Sequence, residues 1–181
     1  MTPAQCRAAR ALLGITQPEL AATAGLGLST IVDFEKGRRR VSDDAIKAIQ
    51  QALERAGIAF TETGAEIAFE ESRTAAYVGF RSVLAEPANL FGNLTHVGKN
   101  VSFLSGAQIR AARALLRWSA EDLARGAALG VNTIRRAELA EDGTSLTAAN
   151  QLAIRRALET AGVVFIDENS EAGRGVRLRK R

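Results

Sequence analysis

The sequence predicts a mainly α protein in which one four-helix unit is used twice, each copy closed by a small β-hairpin. Three observations carry that reading. The heptapeptide RAARALL stands at 7–13 and again, letter for letter, at 110–116. Sliding residues 5–35 onto 108–138 gives 16 identities in 31 positions without a gap, among them Gln5, Arg7 to Leu13, Leu20, Ala21, Ile31 and Glu35. Farther on the register moves by two, so that ALERAGIAF at 52–60 matches ALETAGVVF at 157–165. The extra residues fall in the turn-like AEDGTS, 140–145, where an insertion costs little. Self-similarity of this kind marks a repeated structural unit. It divides the chain into 1–70, a spacer 71–104 and 105–181.

Each unit reads as short helices in order. AQCRAARALLG has apolar or small residues at helical spacing and stops at Gly14, a helix-ending glycine. TQPELAATAG opens with Thr16 as N-cap, Pro18 in the first turn and Glu19 at the third helical position, a capping box. LSTIVDFEKG follows, closed by Gly37, and after the basic turn 38–40 comes SDDAIKAIQQALERAG with Ser42 as cap. Ala45, Ile46, Ile49, Ala52, Leu53 and Ala56 form the apolar stripe of that last helix. The second unit repeats the plan at 107–116, 120–127, 131–140 and 147–161. The apolar period then drops to two: 58–70 reads as two strands around Thr63-Gly64, and 163–180 as strand, polar loop and strand. The spacer carries Tyr77, Val78, Phe80, Leu90, Phe91 and Val101, too apolar for a solvated linker, and is expected to pack, partly as β.

Composition excludes several function classes. No run approaches the roughly 18 apolar residues of a membrane span. The opening MTPAQCRAAR lacks the apolar region of a secretory signal. Cys6 is the only cysteine, which fits a reducing cytoplasm. One histidine, His96, and no Ser/His/Asp set, metal-ligand spacing or phosphate loop leave no case for an enzyme, a metal site, a cofactor or a small-molecule ligand. Net charge is +4; residues 1–57 and 105–162 each hold eight basic and six acidic side chains, against three and five in 58–104. Two equally basic stretches flank a slightly acidic one.

A short helix, a tight turn at AGLG and a further helix make the layout of a helix-turn-helix, in which a rigid pair presents one helix to the DNA major groove. Leu20, Ala21, Ala24, Leu26 and Ile31 would hold the pair together. At these residues the stretch QPELAATAGLGLSTIVDFEKGRRR resembles the DNA-binding core of the Cro/C1-type, or XRE, helix-turn-helix family; Gln17, Ala21, Thr30-Ile31, Glu35 and Gly37 stand where that family commonly has them. Hairpin-ending forms with GVRLRK are especially similar to 105–181. The resemblance covers both units and implies a transcriptional regulator of bacteria or their phages, most often a repressor, in the cytoplasm.

The resemblance also implies site residues. In the first unit Leu28, Ser29, Val32 and Asp33 would face base edges, and Thr30, Lys36, Arg38, Arg39 and Arg40 phosphates, while Gln17 would touch a phosphate or brace the recognition helix. In the second, Val131, Asn132, Arg135 and Arg136 would read bases, with asparagine suited to adenine and arginine to guanine, and Thr133 would face a phosphate. The units depart from the family pattern in opposite ways. The first has apolar readers and Asp33, which either accepts from a cytosine amino group or weakens binding. The second lacks the RRR turn, has Ala120 in the place of Gln17 and carries acidic Glu141 and Asp142. The second is therefore expected to read bases and the first to clamp the backbone. The expected partner is a double-stranded operator with two unlike half-sites about 34–36 Å apart. A homodimer through hairpins or spacer is the further expectation. The competing reading is a protein-interaction unit, of antitoxin or anti-activator type, that no longer reads DNA.

Overall fold

The computed structural model describes residues 1–68, 103–140, 146–168 and 172–180. The expectations for the spacer up to residue 102, including His96, and for Glu141 and Asp142 lie outside the described residues. The first half runs α1 (Pro3–Leu13), α2 (Gln17–Ala24), α3 (Leu28–Lys36), α4 (Asp43–Arg55), β1 (Ile58–Phe60) and β2 (Gly64–Ala68). The second runs α5 (Gly106–Leu116), α6 (Ala120–Ala127), α7 (Val131–Leu139), α8 (Ala148–Thr160), β3 (Val163–Ile166) and β4 (Ala172–Leu178). The helices of each half are 11, 8, 9 and 13 residues long.

Local chemistry sets most of these boundaries. Thr2, Thr16, Ser105 and Ser119 each accept from a backbone N–H three residues on, while the residue there reaches back to the cap; all four are capping boxes. Ser42 and Thr147 cap the two long helices with their hydroxyls. One apolar cluster runs through the molecule and includes Ile31, Ile49 and Leu53 from the first half and Ile134, Ile154 and Leu158 from the second, all fully buried.

The two RAARALL helices pack against each other. Ala8 and Ala9 of α1 and Ala111 and Ala112 of α5 are all at 0% exposure, and side chains this small let two helices approach closely. Arg7 donates from Nε across the seam to the Ala114 carbonyl at 3.1 Å. Below this pair lies a four-stranded antiparallel sheet in the order β1-β2-β4-β3, with α1 against β2 and α5 against β4. The inner strands of the two hairpins thus pair within one chain, and β1 and β3 are left as edges.

The central register maps onto itself when the halves are exchanged. Ala65 faces Val176; on either side Gly64 faces Arg177 and Gly175 faces Glu66. The two glycines are required by close approach: a Cβ on Gly64 would lie 2.1 Å from the Val176 carbonyl oxygen, and one on Gly175 would lie 2.5 Å from the Glu66 Cβ. Buried glutamines tie helix to sheet. Gln5 donates from Nε2 to the carbonyls of Thr61 (2.6 Å) and Gly64 (3.3 Å), and Gln108 does the same to Ile166 (3.0 Å) and Gly175 (3.3 Å). Each side-chain amide thus bridges two carbonyls of its own hairpin and fixes the helix on the sheet.

Candidate nucleic-acid interface

In the first half, α2 and α3 meet at a turn in which Gly25 takes the left-handed backbone (φ 65°) and the Leu26 N–H returns to the Ala21 carbonyl at 2.9 Å. Leu20, Ala21 and Ile31 are buried between the helices, and Ala24 and Leu26 pack partly against them. Phe34 joins this core. Gly27 begins α3 without a side-chain cap, so the helix presents an open N-terminus, the end that favours a phosphate. The sequence-predicted readers divide by exposure. Leu28 and Ser29 are exposed; Thr30, Val32 and Asp33 are half-buried. Lys36 at the far end of α3 and Arg38, Arg39 and Arg40 just beyond it are exposed, with no acidic partner among the described residues.

The second half builds the same frame with other side chains. Leu123, Ala124 and Ile134 are buried, and Gly130 starts α7 without a side-chain cap. Ala128 occupies the left-handed position held by Gly25 in the first half, with φ 53°. A Cβ there costs about 1–2 kcal/mol, so this turn carries strain that the first does not. On the outer face Asn132, Arg135 and Arg136 are exposed, and Val131 and Thr133 are half-buried. Arg135 meets Glu121 at 3.2 Å, but both side chains are more than half exposed, at 62% and 57%. Such a pair is worth at most about 1 kcal/mol and exchanges readily for a better acceptor. Hydrogen bonds from the backbone, with smaller help from Ser119 and Arg135, lower the Glu121 pKa, so its carboxylate stays charged. At the position of Lys36 stands Leu139, 80% exposed, so α7 ends apolar where α3 ends basic.

A polar hub anchors each of these helices. Glu35, buried at the end of α3, receives Arg10 through Nε (2.9 Å) and Nη2 (3.2 Å) and Gln17 through Nε2 (2.7 Å). Its backbone carbonyl accepts from Arg7 at 2.7 Å and from Arg117 at 3.3 Å. The Cys6 thiol lies 3.6 Å from the same carboxylate, and burial first, then that negative charge, push its pKa upward, which makes it inert. Gln17 therefore braces α3, one of the two roles expected for it. In the second half Glu138 receives Arg113 at 2.7 and 3.0 Å, and Arg110 reaches the Glu138 carbonyl, but Ala120 supplies no third donor. In the sequence Arg10 stands out only as a repeated letter and Glu35 as a repeated, family-typical one, with nothing local to pair them. Their joint repetition, polar and identical in both halves, was the available signal of a buried pair.

Residues 7–56, from α1 to the end of α4, match the family model described as helix-turn-helix. The match gives this part of the chain the likeness of a helix-turn-helix module, which suggests a DNA-binding regulator of transcription. No curated protein and no solved structure matches the chain.

Proposed function

We propose that the chain is a sequence-specific regulator of transcription, acting as a repressor by occupying an operator, and that it reads double-stranded DNA with two unlike helix-turn-helix modules. The observation that supports it is the recurrence of one frame with different outer faces. Both α3 and α7 start uncapped at a glycine and are held by an Arg–Glu hub, yet one exposes Leu28 and Ser29 and the other Asn132, Arg135 and Arg136. Arg135 and Arg136 are the base readers, with Asn132 beside them, and Lys36 with Arg38 to Arg40 forms the phosphate clamp. With both modules in one chain, the second engages its half-site intramolecularly, which raises avidity by about 10²–10⁴ when the geometry permits.

The first test is salt. Binding of the intact chain to a selected duplex, measured between about 50 and 200 mM salt, is expected to weaken with a log–log slope near −0.9 per phosphate neutralised, about −5 for roughly six phosphates. A flat response would reject DNA reading. It would favour instead a protein-contact role, for which the exposed apolar Leu28 and Leu139 on the two helices are the supporting observation.

A further inference from the structure

Where the two halves meet, an open cleft of about 360 Å³ lies at the carboxyl end of α3. Arg7, Lys36 and Arg117 line it. Among the described residues the one carboxylate there, Glu35, has its oxygens taken by Arg10 and Gln17. Arg7 and Arg117 both donate to the neutral Glu35 carbonyl, and Arg7 donates to the neutral Ala114 carbonyl as well. Burial, and next the charge of Arg117, lower the Arg7 pKa, and the nearby Glu35 carboxylate offsets this only in part. Trp118, half-buried, also lines the cleft.

The corresponding place on the other side of the seam is not built this way. Where Arg117, Trp118 and Lys36 stand, the other half has Gly14, Ile15 and Leu139. Arg117 moreover holds a left-handed backbone, φ 58°, at the position where Gly14 takes φ 69° without strain. An arginine kept on strained backbone, beside a one-sided cluster of cations, points to use rather than to packing.

We propose that this cleft is a phosphate-binding site. Arg7 and Arg117 supply guanidinium donors, Lys36 adds charge, and Trp118 offers a stacking face for a ring attached to the phosphate. Two sources offer this chemistry, a backbone phosphate of bound DNA and a free nucleotide. Because the cleft is lined from both halves and touches the base of α3, its occupant would tie the second half to the first reader.

Trp118 is the chain's only tryptophan, so its fluorescence reports the cleft. The intact chain is titrated with inorganic pyrophosphate at constant ionic strength, with sodium chloride as the matched control, and in parallel with adenosine monophosphate and a 12-base-pair duplex of mixed sequence. A saturating pyrophosphate response is expected, with a midpoint about tenfold weaker in Arg117→Gly. That variant relaxes the backbone, so loss of folding does not confuse the result. If saturating pyrophosphate abolishes the duplex response, the DNA backbone supplies the phosphate; if it leaves that response and competes with adenosine monophosphate, a free nucleotide does. A response equalled by chloride, or an Arg117→Gly midpoint equal to that of the unaltered chain, would overturn the proposal. The pyrophosphate arm contains no DNA, so its failure leaves the DNA reading standing.

Discussion

Glu35→Ala is expected to lower the unfolding free energy by about 3 kcal/mol. Glu35 is 3% exposed, and its partner Arg10 is 22% exposed. Removing one partner of a buried pair costs roughly 3–5 kcal/mol, and the water that reaches Arg10 places this case at the lower end. The substitution strands Gln17 as well, loosening α2 from α3. Glu138→Ala should cost less, because its side chains are more exposed (11% and 25%) and it has no counterpart of Gln17 to strand. Urea or thermal unfolding measures both; for a chain of this size, about 3 kcal/mol corresponds to roughly 6–12 °C in Tm. Equal losses, or a larger loss for Glu138→Ala, would mean that the Gln17 brace adds nothing.

Replacing Arg135 and Arg136 together by alanine is expected to weaken binding to the selected duplex by about 2–6 kcal/mol, from roughly 1–3 kcal/mol for each guanine read. The exposed pair with Glu121 is too weak to offset this. The pattern of the loss matters as much as its size. Base preference should relax in one half-site and persist in the other, since the Leu28 and Ser29 face is untouched. Replacing Arg38 to Arg40 should act differently, weakening all sequences alike and flattening the salt slope by about one unit for each phosphate no longer neutralised. Binding competition with duplexes altered in one half-site at a time separates the two patterns.

Much of the helical frame was legible because its signals are local. Thr16 with Glu19, Ser42 at the head of α4, and Gly14 and Gly37 as closing residues all lie within four residues of the boundary they set. The joining of the halves was not legible. RAARALL was readable as a repeat, but that its small faces meet one another depends on packing between segments about a hundred residues apart, which no local period encodes. Gln5 and Gln108 were visible as repeated letters, whereas the carbonyls they satisfy lie 56 to 67 residues away. The strained caps at Arg117 and Ala128 were hidden for the opposite reason: where Gly is replaced, the left-handed turn leaves no sequence mark. At the candidate site, the sequence indicated which side chains lie on α3 and α7. It could not assign Gln17 to the Glu35 hub or show Arg135 resting on Glu121, since both partners come from a neighbouring helix.

The central claim is that one chain carries two different readers. Selection from random DNA followed by footprinting, with the chain-to-duplex ratio measured by light scattering, tests it most directly. One chain protecting a two-part site whose halves differ in sequence, with Arg135→Ala/Arg136→Ala erasing the preference of a single half, is the predicted result. Two chains on a symmetrical palindrome, or protection unchanged in that variant, would contradict it.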